Sequence, residues 1–206
     1  MEKKYIYGAS GHGKVILEIF EANNIVIEGV FDDNPGITKV LDYPVLGGLS
    51  MIKAMENPAL LISIGNNVIR KKIAEELNSL YLNAIHPAAT ISRRSSIGKG
   101  CAIMAGVCIN SNVTIGNHVI LNTNCSVDHD CILGNYVHIS PNAALAGNVS
   151  IGEGTHVGIG AAIIPNIKIG KWCTIGAGAV IIRDVPDYAV VVGNPGRIIN
   201  YNSKIE

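Results

Sequence analysis

An imidazole with a carboxylate on either side, Asp128-His129-Asp130, is the arrangement in this sequence best suited to moving a proton near neutral pH. A neighbouring carboxylate fixes the ring tautomer and raises its basicity, as a general base requires. The competing interpretation is a surface corner made of three polar residues. A second arrangement is Gly8-Ala9-Ser10-Gly11-His12-Gly13, which follows a short apolar run and precedes a helical pattern. Free N–H groups at a helix start, beside glycines, would let a phosphate approach closely. The spacing is G-x-x-G-x-G, not the G-x-G-x-x-G of dinucleotide sites, which disfavours NAD; a tight turn with no ligand is the alternative. Asp32 and Asp33, about twenty residues on, suit a ribose or a uracil edge. Arg70 and Lys14 are candidate phosphate partners or solvated helix charges.

The other histidines sort by position. His118 fits an exposed turn, and His86, before Pro87, a domain junction. His138 and His156 stand eighteen residues apart and should stack on one face. No close-spaced histidine set accompanies them, so no metal is expected. The five cysteines are odd in number and lack CxxC spacing, which argues against disulfides and zinc.

Two kinds of element must position these groups. From Ile91 to Ile181 every sixth residue is Ile, Leu or Val, and two residues earlier stands a small or β-branched residue, among them Cys101, Cys125, Cys131 and Cys173. A period of six fits a short strand plus a corner with both residues inward, not an amphipathic helix. Glycines at 98, 116, 134, 152 and 170 recur every eighteen, so three hexads make one coil. They predict one corner that needs positive φ. Roughly five coils at about 4.8 Å give a prism on the order of 25 Å tall. The first 85 residues instead alternate strands (4–7, 25–31, 60–64) with helical patterns, which predicts a small parallel Rossmann-like sheet. The expected domains are 1–86, 87–183 and a C-terminal cap over 184–206.

Composition narrows the function. With 48% apolar and 16% charged residues the chain can bury a large core. Lys plus Arg and Asp plus Glu are sixteen each, so no bulk field favours nucleic acid or an anionic membrane. The initial apolar run stops at Gly8, short of a signal sequence or a membrane span, and a cytoplasmic protein is expected.

The order of motifs resembles the bacterial nucleotide-sugar acetyltransferases of the bacillosamine and sialic-acid O-acetyltransferase group, over nearly the whole chain. The motifs are Tyr-Gly-Ala-Ser-Gly-His-Gly at 7–13, Asp32-Asp33, Ile-Gly-Asn-Asn at 64–67, Leu-Asn-Thr at 121–123, Asp-His-Asp, Val137-His138, Ala-Gly-Asn-Val at 146–149 and Val-Gly-Asn-Pro at 192–195. The resemblance implies a left-handed parallel β-helix and acetyl-CoA as co-substrate. It implies His129 as base with Asp130 where the family often has Glu, and the Gly147 N–H on the thioester oxygen. It also implies His138 at the acetyl group, and Gly158, Ile159 and Ala177 along the CoA arm. The nucleotide sugar would meet Gly11, His12, Gly13, Asp32, Asp33, Gly65, Asn66, Arg70 and Asn122. A homotrimer with its sites between subunits is implied as well. The expected reaction is N-acetylation of a UDP-linked 4-amino-4,6-dideoxy sugar. The alternatives are O-acetylation of sialic acid or a related sugar hydroxyl, a non-catalytic nucleotide-binding module, and a carbonic-anhydrase-type metal site.

Overall fold

The computed structural model describes residues 3–204; the outermost residues of the expected first domain and cap, 1–2 and 205–206, lie outside it. The chain opens with strand β1 (Lys4–Tyr7) and helix α1 (Gly11–Ala22). Helix α1 buries Ile16, Leu17, Ile19 and Phe20 on one side. It ends at Asn24, which takes a left-handed φ of 56° while the Asn24 and Ile25 N–H groups return to Glu21 and Phe20. Strand β2 (Gly29–Phe31), the antiparallel pair β3 (Lys39–Val40) and β4 (Tyr43–Gly47), and a short helix α2 (Leu49–Lys53) follow. Strand β5 (Ala59–Ile62), helix α3 (Asn67–Glu76) and strand β6 (Leu80–Tyr81) complete the region. The sheet order is β3-β4-β2-β1-β5-β6. Strand β1 lies between β2 and β5 and is parallel to both. The chain therefore reverses direction across the sheet at β1, and the loops after β1 and β5 flank a topological switch point. The predicted strand over 25–31 is shorter than expected, because only Gly29–Phe31 pair with β1.

The hexads form a three-faced parallel β-helix of two-residue strands. The first face stacks Ala84–Ile85, Ala102–Ile103, Ile120–Leu121, His138–Ile139, His156–Val157 and Thr174–Ile175. The second runs from Thr90–Ile91 to Val180–Ile181, and the third from Ser96–Ile97 to Lys168–Ile169. The β-helix thus begins at Ala84, ahead of the expected boundary after residue 86. Its interior is a continuous stack of the predicted aliphatic residues, with Cys101, Cys125, Cys131 and Cys173 buried among them. Beyond Ile181 the last coil is two residues short: Val185 bridges to Ile169, and Val191 pairs with Ile175. Ala189–Val192 extends the first face and turns back through antiparallel Arg197–Tyr201, so the cap is part of that sheet.

The coil-period glycines have a different cause from the one expected. Positive φ recurs every six residues from Gly100 to Gly178, three residues after the inward aliphatic, on residues such as Asn112, His118, Asp130, Asn148 and Trp172. Gly98, Gly116, Gly134, Gly152 and Gly170 are not among them. A Cβ at any of these five would approach the next coil to between 2.4 and 2.7 Å. Their role is close stacking of coil on coil.

The first face also joins the two regions. Its outward residues Ala84, Ala102 and Ile120 pack in one cluster with Ile16, Ile19 and Phe20 of α1. One coil higher the same outward column becomes His138, then His156 and Thr174. The column turns polar where it rises into a cleft of about 630 Å³ that it shares with the loop after β5.

Candidate active site

His129 stands at the corner between the second and third faces, following Ser126–Val127. Its Nδ1 lies 2.7 Å from Asp130 Oδ2, so the shorter acid does reach the ring. With Nδ1–H donating to Asp130, Nε2 of the neutral ring holds the free lone pair. The Asp130 hydrogen bond first, then the Asp128 charge, raise the His129 pKa above the ordinary imidazole value. The partner carboxylates are correspondingly held below the usual range, Asp128 mainly by Asn110 and Asp130 mainly by His129. Gly147, one coil up, is at contact distance: a Cβ there would sit 2.6 Å from His129 Nε2. Its carbonyl accepts from Asn166, while among the described residues its N–H has no acceptor. A lone pair and an unspent N–H therefore share one small corner. Replacing Asp130 by alanine is expected to lower the His129 pKa. A base at His129 would act when neutral, so the acid limb of kcat/KM against pH should move to lower pH, and a limb that stays in place would remove Asp130 from that role.

The cleft on the first face gathers a second set. His138 and His156 stack with centroids 4.7 Å apart, as their spacing predicts. Asn122 Nδ2 lies 3.3 Å from His138 Nε2, and His156 Nε2 lies 2.8 Å from Ser140 Oγ. Burial pushes His138 down to about 3, with His156, Arg70 and His12 adding to the shift. His12 is likewise pushed down to about 4, by burial and then by Arg70. Both rings are neutral at physiological pH. Gly65 and Asn66 form the other wall.

At the Gly-rich turn the glycines divide into two kinds. Gly8 has a φ of +119°, and a Cβ on Gly13 would lie 2.3 Å from the Gly8 carbonyl oxygen, so the turn itself needs both. A Cβ on Gly11 or Gly65 would meet nothing within 4 Å, so neither is required by the packing. The Ser10 side chain makes no capping bond, which leaves the first N–H groups of α1 without an intrahelical partner. A Gly11→Ala variant should keep the parental Tm while its KM for a nucleotide substrate rises by roughly tenfold. Gly13→Ala should lower Tm, and equal behaviour of the two variants would contradict this division.

Other expected site residues have different surroundings. Asp33 accepts from Tyr7 Oη at 2.6 Å and from the Leu49 N–H, and Asp32 accepts from the Ala9 and Asn34 N–H groups. Both brace the loops at the mouth of a shallow pocket of about 270 Å³. Arg70 is neither a solvated charge nor free for a phosphate. It is 0% exposed, and its five donors go to the carbonyls of His118, Ile64, Gly65 and Tyr136 and to Asn67 Oδ1. His118, expected in an exposed turn, is 5% exposed between Tyr81 and Tyr136. Gly158, Ile159 and Ala177 lie on the corner between the first and second faces, apart from His129. His129 and His138 also occupy different sides of the prism. Among the described residues no three His, Cys, Asp or Glu side chains converge as a metal site would require.

Residues 3–77 match the PglD N-terminal domain, and residues 112–147 and 148–183 match the bacterial transferase hexapeptide repeat. The chain superposes on a histidine-to-asparagine mutant of Caulobacter crescentus perosamine N-acetyltransferase, solved with CoA and GDP-perosamine, with TM-score 0.90 and 38% identity. That match covers 97% of this chain and 98% of the other. The chain belongs to the hexapeptide-repeat nucleotide-sugar N-acetyltransferase family. The acetyltransferase domain of Neisseria gonorrhoeae PglB, in complex with acetyl coenzyme A, is a similar family structure with TM-score 0.89 and 36% identity, covering 96% of this chain and 99% of that one. UDP-N-acetylbacillosamine N-acetyltransferase of Bacillus subtilis is 39% identical over 113 residues, 51% of this chain and 52% of that protein. The match thus spans about half of that curated relative. It spans 20% of another, protein L142 of Acanthamoeba polyphaga mimivirus, at 34% identity.

Two groups in this family member escape a reading of motifs alone. Asn110 and Asn112 hold the carboxylates beside His129, and stepping back eighteen residues from Asp128 and Asp130 finds them. Asn67 bonds both Arg70 and the Gly154 carbonyl, and no spacing rule signals it.

Proposed function

We propose that this protein transfers the acetyl group of acetyl-CoA to the amine of a UDP-linked 4-amino-4,6-dideoxy sugar in the cytoplasm. The observation that carries this reading is the His129 corner: an imidazole oriented by Asp130, with a free Nε2 beside the unspent Gly147 N–H. The amine nitrogen attacks the thioester carbonyl carbon while Nε2 takes its proton. The Gly147 N–H steadies the oxyanion, the C–S bond breaks, and the proton passes to the departing thiolate. No acyl-enzyme is required. Burial pushes the Cys101 thiol up to about 11 and the Cys125 thiol up to about 12, far from an activated nucleophile. Two carboxylates flank the base, which disfavours a carboxylate-bearing acceptor such as sialic acid.

The nucleotide would lie across the switch point, with its phosphates at Gly11–Gly13 and its base toward Asp32 and Asp33. The sugar would lie near Gly65, Asn66, Asn122 and His138. That cleft and the His129 corner occupy different sides of one prism, so one chain does not close the site. A homotrimer, which the family resemblance implies, would set the corner of one protomer against the cleft of its partner. Gly158, Ile159 and Ala177 would line the CoA arm, with His138 at the acetyl group.

The test is thiol release and product mass with purified protein, acetyl-CoA and separate acceptors: UDP- and GDP-4-amino sugars and free sialic acid. Acetyl gain on a UDP-amino sugar supports the proposal. Gain on the GDP sugar alone would change the nucleotide, and gain on sialic acid would overturn the choice of nucleophile. Nucleotide binding without transfer to any acceptor would favour the non-catalytic module.

A further inference from the structure

We infer that Asn110 and Asn112, one coil below the proposed base, are positioning residues for the transfer reaction: they clamp the two carboxylates that set the His129 ring. This rests on the proposed role of His129. Asn110 Nδ2 donates to Asp128 Oδ1 at 2.7 Å, and the same oxygen accepts the His129 backbone N–H at 2.8 Å. Asn112 Nδ2 reaches Asp130 Oδ1 at 3.3 Å, which leaves Oδ2 on the imidazole. Each carboxylate is thus held through one oxygen by the coil beneath and, through the His129 backbone or ring, by the residue it orients. The Asn110 amide is itself directed, because its Oδ1 lies 3.7 Å from Cys108 Sγ and its nitrogen points up to Asp128. Groups of this kind fix ring orientation and tautomer without touching substrate.

An asparagine at a β-helix corner can also be there for its backbone alone. Asn112 has φ of 60°, a conformation asparagine tolerates, and Asn148 and Asn166 form a similar rung with no histidine between them. Asn110 has no such excuse, since its φ is not positive. At the equivalent place in the neighbouring coils stand Ser92, Ala146 and Ile164. Only the coil beneath Asp128 carries an amide there.

The two explanations separate on aspartate. Asp is nearly isosteric with Asn and tolerates the same backbone, but as a carboxylate it cannot donate and would face another carboxylate across the coil step. A backbone role predicts that Asn112→Asp and Asn110→Asp behave like the parent. A positioning role predicts that each lowers kcat by about tenfold or more, with Asn112→Gly, which keeps the left-handed corner, falling between. The direct readout is the 15N spectrum of histidine-labelled, ligand-free protein. The parent should show His129 mainly as the Nδ1–H tautomer, and the aspartate variants a mixture. Unchanged tautomer in Asn110→Asp and Asn112→Asp would overturn the inference even if turnover fell. If the parent acetylates no acceptor, the proposed function fails, yet the spectrum still decides whether these asparagines hold the ring.

Discussion

Replacing His129 by alanine is expected to lower kcat by about 10²- to 10⁴-fold while leaving Tm near that of the parent. The ring is exposed at a corner, so the interior stack loses nothing when it is removed. The loss should fall on kcat more than on KM, because in the proposed direct attack the proton moves only as the new bond to the acetyl carbon forms. The size within that range carries information. An acceptor amine that is already neutral needs the base less than a hydroxyl does, so a loss near the lower end accords with nitrogen as nucleophile. A loss near the upper end, with full dependence on an unprotonated group of raised pKa, would accord with oxygen. A variant that turns over at the parental rate would take His129 out of the chemistry altogether.

Arg70→Met should destabilise the fold by about 1–3 kcal/mol for each buried carbonyl left unpaired, and lower Tm by several degrees or more, at about 2–4 °C per kcal/mol. Burial of Arg70 is complete, and its pKa is pushed down to about 10 by desolvation. Methionine fills much of the volume but leaves the carbonyls of Ile64, His118 and Tyr136 without this donor. Arg70→Lys should rescue little, since three rotating donors cannot reproduce a planar five-donor fork. Ile64 and Gly65 belong to the loop beside His138, whereas His118 and Tyr136 belong to stacked corners of the β-helix. Losing the clamp should therefore raise KM for the nucleotide sugar as well. Parental stability and KM in Arg70→Met would show that α1 packing and the other contacts between the regions, such as Asn67 on the Gly154 carbonyl, dock the domains without Arg70.

The hexad pattern made the β-helix legible because every coil repeats the same local rule, an inward aliphatic residue after an inward small one. The same arithmetic put His138 over His156. The first region was legible only in part. Strand β1, helix α1 and helix α3 have clear apolar patterns, but β3, β4 and α2 are short pieces whose neighbours decide their state. The burial of Arg70 is not legible, because helical spacing says which residues share a face, not that the face will be covered by another domain's corner. The burial of His118 is hidden likewise: its cage is made by Tyr81 and Tyr136, which are distant in sequence or a full coil away. The coil-period glycines are legible in position but not in cause. Their spacing is visible in the sequence, but the 2.4–2.7 Å approach of the next coil that requires them is not. Asp130 was legible in part: adjacency brings a carboxylate near His129, but Asp128 is equally adjacent and bonds the His129 backbone N–H, so which of the two reaches the ring is not visible in the sequence.

A single-turnover experiment tests direct acetyl transfer most plainly. Enzyme in excess would be mixed with acetyl-CoA and a UDP-4-amino sugar, quenched at successive times, and the masses of protein and sugar followed together. The expected result is one acetyl group appearing on the sugar as CoA is released, with the protein mass unchanged throughout and the rate strongly reduced in His129→Ala. Acetyl appearing on the protein before the sugar, or transfer at the parental rate without His129, would contradict direct attack assisted by this base.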